Sequence, residues 1–176
     1  GKPLPFRNNL KTYKSDNYQA IMKAIQAAPQ KSIVIDDATY LMVNEFMRTA
    51  KQTGYQKYTD MACSFNSLIE FAASLPDDKI VYFMGHSDQA DDGREHFKTI
   101  GKMLDQTYNP MEVVPVVLFA TTKFDDKGMP TYGFITHRMQ LNGVAIPAKS
   151  PHGMFKDDFI PNDLGLVKKA FVEYYN

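Results

Sequence analysis

The sequence predicts an α/β fold with a mostly parallel central sheet, helices on both faces and a C-terminal antiparallel hairpin. Two short apolar runs rich in β-branched residues, at 32–36 and 79–85, are typical of buried parallel strands. Helical patterns separate them, as in a right-handed βαβ crossover. A third apolar run at 114–122 is expected to join the same sheet. The turn residues at 125–128 then indicate the hairpin.

Length and composition narrow the class of protein. The chain has 176 residues, enough for one core, and we expect a single domain over residues 1–176. Its 20 Lys and Arg residues balance its 20 Asp and Glu residues, so composition gives no argument for nucleic-acid binding. The one cysteine, Cys63, excludes an internal disulfide and fits a reducing compartment. No apolar run approaches the roughly 18 residues of a membrane span, and no signal peptide is visible. We therefore expect a cytoplasmic protein without a membrane partner.

The N-terminal half is predicted to hold three helices. Prolines favour a loop over residues 1–15, after which Asp16 and Gln19 have the spacing of a capping box. The first helix is expected to run from there to Pro29. Apolar residues at helical spacing predict two more helices, at 38–52 and 58–75.

The C-terminal half is predicted to alternate strands with loops. Residues 87–98 are polar and are expected to form an exposed, mobile loop, with a short helix near 99–104. Residues 131–139 are expected to pair antiparallel across the hairpin turn. Residues 140–161 are expected to be mostly loop, and Asn162 to cap a last helix.

Asp36 and Asp37 close the first apolar strand and are the first candidates for chemistry. Ligands of open α/β sheets bind at the carboxyl ends of the strands. Because two adjacent carboxylates cannot both be buried unpaired, at least one should meet a metal ion, a water or a donor. The pattern has the form of a Walker B strand, in which the first acid holds Mg²⁺ and the second orients water. The alternative is a strand that simply ends in a polar turn.

His86 closes the second apolar strand. If the two strands are parallel neighbours, His86 lies at the same edge of the sheet as Asp36. There it would act as a γ-phosphate sensor, a metal ligand or a purely structural histidine. A metal hydrolase is the rival chemistry, because Asp37, Asp88 and His96 are also ligand types. The sequence contains no H-E-x-x-H spacing to support that rival.

A lysine in a rigid loop supports nucleotide binding, whereas a missing motif argues against it. Lys149 lies in a loop rich in proline and glycine, which holds a lysine in place better than a helix surface would. The 176 residues contain no G-x-x-x-x-G-K-S/T motif, and Gly101-Lys102 lacks its spacing and hydroxyl. That loop cradles phosphates with backbone amides and a lysine. We therefore expect that this chain alone does not hydrolyse ATP.

Five segments, in this order, resemble phage-encoded RecA-like P-loop ATPases, the short ATP-binding proteins linked to single-strand annealing and recombination. The segments are KSIVIDDATYLMVNEFMR at 31–48, VYFMGHS at 81–87, KTIGKMLD at 98–105, AKSPHGMF at 148–155 and IPNDL at 160–164. Together they extend over nearly the whole chain, and their order and spacing are more specific than any one motif. The resemblance implies a RecA-like P-loop NTPase core for the fold.

The resemblance also implies cofactors and site residues. ATP and Mg²⁺ are the implied cofactors, with Asp36 as the Mg²⁺-linked acid and His86 as the sensor. Asp37 completes the implied catalytic set. Lys149 is implied to reach the nucleotide of a neighbouring subunit in a homo-oligomeric ring or filament.

Single-stranded DNA is the implied partner. The polar loop resembles the DNA-facing loops of RecA-like proteins, which implies Arg94, Lys98 and Lys102 as DNA contacts. In that family a phosphate-loop strand and helix precede a GKPLPF-like segment, so we expect this chain to begin after that loop. The alternative function is a non-catalytic assembly module that keeps the fold without binding nucleotide.

Overall fold

A computed structural model describes residues 10–89, 93–101 and 108–175. Its elements, in chain order, are α1 Tyr18–Ala27, β1 Ser32–Ile35, α2 Thr39–Arg48, α3 Gln56–Ala73, β2 Ile80–Phe83, β3 Ser87–Gln89, β4 Glu95–Phe97, α4 Pro110–Val113, β5 Phe119–Phe124, β6 Pro130–Ile135, β7 Met139–Leu141, β8 Val144–Ile146, β9 Phe159–Pro161 and α5 Leu164–Tyr175. The chain divides into two compact units, Gly1–His86 with Phe97–Pro110, and Ser87–His96 with Met111–Asn176. The single domain over residues 1–176 stays a prediction.

The first unit contains a two-stranded parallel sheet. β1 pairs with β2 in a register that runs from Ser32 opposite Ile80 to Ile35 opposite Phe83. The helices α2 and α3 connect the two strands, so the predicted parallel pairing is confirmed. α3 follows the predicted apolar stripe, and its buried residues are Met61, Phe65, Leu68 and Ile69.

The start of α1 differs from the prediction. Asn17 is the N-cap, and its side-chain oxygen accepts a hydrogen bond from the Ala20 amide at 2.9 Å. The predicted capping box of Asp16 and Gln19 is therefore wrong. Asp16 instead forms an ion pair with Arg48 at 2.5 Å, and this pair links the start of α1 to the end of α2.

The second unit is built from small antiparallel sheets. β5, β6 and β9 form one three-stranded sheet, and β7 pairs with β8. The predicted hairpin turn is confirmed, because the Asp125 carboxylate accepts hydrogen bonds from the amides of Lys127 and Met129. A buried cluster of Ile135, Ile146 and Ala148 forms a core of this unit.

The predicted fold class is wrong. A RecA-like core needs a mostly parallel central sheet with helices on both faces, whereas β1 and β2 form a sheet of only two parallel strands. The third apolar run does not join them. Its strand, β5, begins only at Phe119 and pairs antiparallel with β6. Val117, in the middle of that run, forms an isolated antiparallel bridge with Lys149 instead.

Several predicted loops contain strands. The segment 87–98 holds β3 and β4, which pair with each other, and residues 90–92 lie outside the described part. The segment 140–161 holds most of β7 and the whole of β8 and β9. Residues 99–101 are not helical, and the rest of the short helix predicted near 99–104 lies outside the described residues.

The C-terminal helix α5 was predicted, but Asp163 rather than Asn162 accepts a hydrogen bond at its start, from the Gly165 amide at 2.7 Å. Across the described ranges, no helix combines the length and apolar character that a bilayer crossing requires.

Candidate functional site

A tight turn at the end of β1 positions the acid pair. Asp36, Asp37 and Ala38 form the turn, and α2 begins directly after it at Thr39. The turn requires the left-handed backbone conformation at Asp37, which has φ +53°. Asp and Asn adopt that region more readily than other residues with a side chain. The Asp37 carbonyl accepts a hydrogen bond from the Tyr40 amide at 2.8 Å, which closes the turn.

Two backbone hydrogen bonds extend the pairing of β1 and β2 into the site. The Met84 amide donates to the Ile35 carbonyl at 3.0 Å, and the Ala38 amide donates to the Met84 carbonyl at 2.7 Å. The acid turn is thus tied to the backbone that leads into His86. The predicted placement of Asp36 and His86 at one edge of the sheet is confirmed.

Gly85 and Thr39 fix the backbone of His86. A Cβ at Gly85 would overlap the Phe97 ring and would lie 3.0 Å from Thr39 Oγ1, so any other residue would force the ring to move. The His86 amide donates to Thr39 Oγ1 at 3.3 Å, and the His86 carbonyl accepts from the Lys98 amide at 2.8 Å. Both backbone groups of His86 are therefore held by the chain.

The side chains of the site are open to solvent. His86 Nε2 lies 3.3 Å from Asp37 Oδ1, with the two side chains 60% and 41% exposed. The His86 ring also meets the Tyr40 ring edge to face, at 6.5 Å between centroids and 71° between planes. Asp36 is exposed, and the structure gives its carboxylate no hydrogen bond or ion pair with another described residue. An exposed pair of this kind contributes little to stability, and its exposure leaves both side chains accessible to a ligand.

A shallow groove lies beside the acid–histidine pair. Its volume is about 360 Å³, and it is lined by Thr39, Tyr40, Val43, His86 and Lys98. We call it the His86 groove. Its volume is at the small end of the range of about 300–1,000 Å³ that is typical of ligand sites. It therefore has room for one ring-sized group.

The other predicted site residues lie elsewhere. Arg94 belongs to the second unit, where it forms an isolated bridge with Ala145. Lys149 also belongs to the second unit, and its ammonium group donates to the Glu112 carbonyl at 3.1 Å. Lys102 lies outside the described residues. Of the predicted basic residues that the structure describes, only Lys98 is found among the residues that line the His86 groove.

The carboxylates of Asp36 and Asp37 suit Mg²⁺ better than they suit a metal ion whose ligands all come from the protein. Among the described residues, no three His, Cys, Asp or Glu side chains come together as a metal site, so the structure does not support the metal hydrolase. Mg²⁺ differs because it keeps several waters and binds proteins through one or two carboxylates together with phosphates. The exposed Asp36 carboxylate, with Asp37 next to it, suits that mode.

Thr39 and Tyr40 are the site residues that the sequence analysis missed. Both directly follow the acid turn, but their role depends on how sharply that turn brings α2 back toward β2. The only signal in the sequence was a threonine close after the two acids, and its burial at the start of α2 is seen only in the structure.

Comparisons of this chain with protein-family models, curated proteins and solved structures found no match. The resemblance to phage-encoded RecA-like ATPases therefore stays a prediction. What supports any assignment of function is the geometry of the chain's own residues.

Proposed function

We propose that this protein binds ATP and acts on single-stranded DNA in phage recombination or single-strand annealing. Asp36, Asp37 and His86 form the Mg²⁺-phosphate end of its nucleotide site. The supporting observation is the parallel pairing of β1 and β2, which gathers the acid turn and His86 at one edge of the sheet. Carboxyl ends of strands are where α/β sheets bind ligands.

Each of the three residues has a distinct role in this proposal. Asp36 holds Mg²⁺, which when bound neutralises charge on the phosphates. Asp37 orients a water molecule beside the phosphate. His86 Nε2 contacts either Asp37 or a terminal phosphate oxygen. Because the same nitrogen lies 3.3 Å from Asp37, an incoming phosphate would compete with that carboxylate for the imidazole.

The DNA and assembly parts of the proposal depend on basic residues. Lys98 and Arg94 are exposed and would contact DNA phosphates, which makes binding salt-dependent and largely independent of sequence. Asp88 and Glu95, which are close to Arg94 in the sequence, lower the expected affinity. In a ring or filament, Lys149 would have to leave the Glu112 carbonyl before it could reach a neighbour's nucleotide. The host cytoplasm is the proposed compartment.

The missing phosphate-loop motif sets the expected affinity. Carboxylates without a cradle of amides and a lysine repel a triphosphate unless Mg²⁺ bridges them. We therefore expect weak Mg-ATP binding by the 176 residues and no hydrolysis. The same observation favours the second candidate function, an assembly module that does not bind nucleotide.

Nuclear magnetic resonance detects weak binding and can test the proposal. Titration with Mg-ATP is expected to shift the signals of Asp36, Asp37 and His86, and the Asp36→Asn variant is expected to lose these shifts. Asp77→Asn is the matched control, because Asp77 is an exposed acid near the opposite end of β2. If wild type shows no shift at the site, the nucleotide site is excluded and the assembly module is favoured. Steady phosphate release by the chain alone would contradict our expectation about the missing loop.

A further inference from the structure

The His86 groove has features that the acid–histidine pair does not use. Tyr40 remains 51% exposed at its rim, although its ring contacts His86. An edge-to-face contact cannot cover both faces of both rings, so aromatic surface remains for a ligand. Val43 adds an apolar wall, and Lys98 adds a positive charge.

We propose that the His86 groove binds one nucleotide of single-stranded DNA, with its base stacked on Tyr40 and its phosphate near Lys98. This inference rests on the proposed function and names the residue that holds the DNA. The volume of about 360 Å³ suits a single base rather than a longer segment. A basic side chain beside an aromatic platform is the combination that sequence-tolerant single-strand binding uses.

The polar groups of the groove favour DNA over a free nucleotide as the source of the base. Recognition of one particular base needs donors and acceptors directed at its edge. Thr39 Oγ1 accepts the hydrogen bond of the His86 amide, and the residue is only 3% exposed, so little of this hydroxyl can reach a base. Val43 offers no polar group. Because Thr39 and Val43 offer little to the edge of a base, the groove is better suited to stacking a base than to selecting adenine.

Fluorescence anisotropy with labelled oligo-dT tests this inference. Tyr40→Leu keeps a good helix former in α2 but removes the ring, and it is expected to weaken binding about tenfold or more. Tyr40→Phe keeps the ring and is expected to bind within about twofold of wild type. Tyr55→Leu is the matched control, because Tyr55 is an exposed tyrosine of the same unit outside the groove. Lys98→Gln is expected to lower the slope of binding against salt by about one.

Photo-cross-linking gives a second measurement that does not depend on a variant. An oligonucleotide carrying iodouracil is expected to cross-link to wild-type Tyr40. The inference is overturned if Tyr40→Leu binds oligo-dT as tightly as wild type, if cross-links map elsewhere, or if wild type binds no oligonucleotide. It is also overturned if Mg-ATP prevents the cross-linking of Tyr40 while unlabelled oligo-dT does not, because the groove would then hold the adenine. Absence of the Mg-ATP shifts in wild type would overturn only the nucleotide site, whereas wild-type affinity of Tyr40→Leu for oligo-dT would overturn only this inference, so the two failures are distinguishable.

Discussion

His86 Nε2 and Asp37 Oδ1 lie 3.3 Å apart, although the two residues follow different strands and are separated in the chain by two helices. The contact depends on the backbone of Asp37, whose φ of +53° turns the chain sharply between β1 and α2. A change at this position therefore acts on both the backbone and the carboxylate, and different substitutions separate the two effects.

Substitution of Asp37 tests the strain in the turn. Asp37→Asn is expected to change the free energy of unfolding little, because Asn also adopts the left-handed region. Asp37→Val is expected to destabilise the protein by about 1–3 kcal/mol, because a β-branched residue does not. Urea unfolding measures both variants. Equal stability of the Asn and Val variants would contradict the turn geometry.

Gly85→Ala tests the close packing behind His86. The added methyl group would overlap the Phe97 ring, so we expect a loss of about 1–3 kcal/mol in the free energy of unfolding. Phe97→Leu in the same chain makes room and is expected to restore part of that loss. A double-mutant cycle measures the coupling of the two positions. Simple additivity of the two single changes would argue against the contact.

Tyr108 makes stability sensitive to alkaline pH. Burial raises the pKa of its phenol from the usual 10 to about 12, with the charge of Glu70 as a further cause. The folded state thus favours the neutral phenol, and this contribution is complete below pH 10 and is lost as the pH rises toward 12. Unfolding of wild type and Tyr108→Phe across this window, with absorbance titration of the phenolates, measures the effect. Tyr108→Phe also removes the hydrogen bond that Tyr108 Oη donates to Asn66 Oδ1 at 3.3 Å, so the two profiles are expected to be offset by a constant amount below pH 10. The offset is expected to change only in the alkaline limbs, and profiles that stay parallel toward pH 12 would refute the prediction.

The roles proposed for Asp36 and Asp37 in ATP turnover require a preparation with ATPase activity, which we do not expect of the 176 residues alone. Asp36→Asn is expected to abolish Mg²⁺-dependent turnover and leave the fold intact, since it removes charge from the metal's surroundings. Asp37→Asn is expected to slow turnover with less effect on nucleotide binding. Phosphate release and calorimetry separate these two effects. Wild-type turnover by Asp36→Asn would end the assignment of that residue.

Three elements that depend on local pattern were predicted correctly. The β-branched runs at β1 and β2 and the apolar stripe of α3 each specify their element from a few neighbouring residues. Sheet membership is different, because it depends on which distant segment offers a free edge. The run around Val117 is as apolar as β1, but its backbone pairs with Lys149 and the strand proper is held by the hairpin.

The candidate site also has parts that could be predicted from the sequence and parts that could not. Asp36, Asp37 and His86 could be placed together because parallel strands bring their carboxyl ends to one edge. Tyr40 could not be placed, because its contact with His86 depends on the left-handed turn at Asp37 and on the approach of α2. Turn geometry of this kind is set by single backbone angles, which hydrophobic periodicity does not report.

The hydrogen bonds that join Ala38, Met84 and Ile35 have a consequence for the order of folding. They close a loop that contains the whole of α2 and α3, and the entropy of that closure must be overcome before the bonds form. The edge that carries the acids is therefore expected to assemble after the two helices have condensed. In deuterium exchange, the amides of Ala38 and Met84 are expected to exchange only when this unit unfolds as a whole. Amides at the ends of α1 are expected to exchange faster, through local fraying.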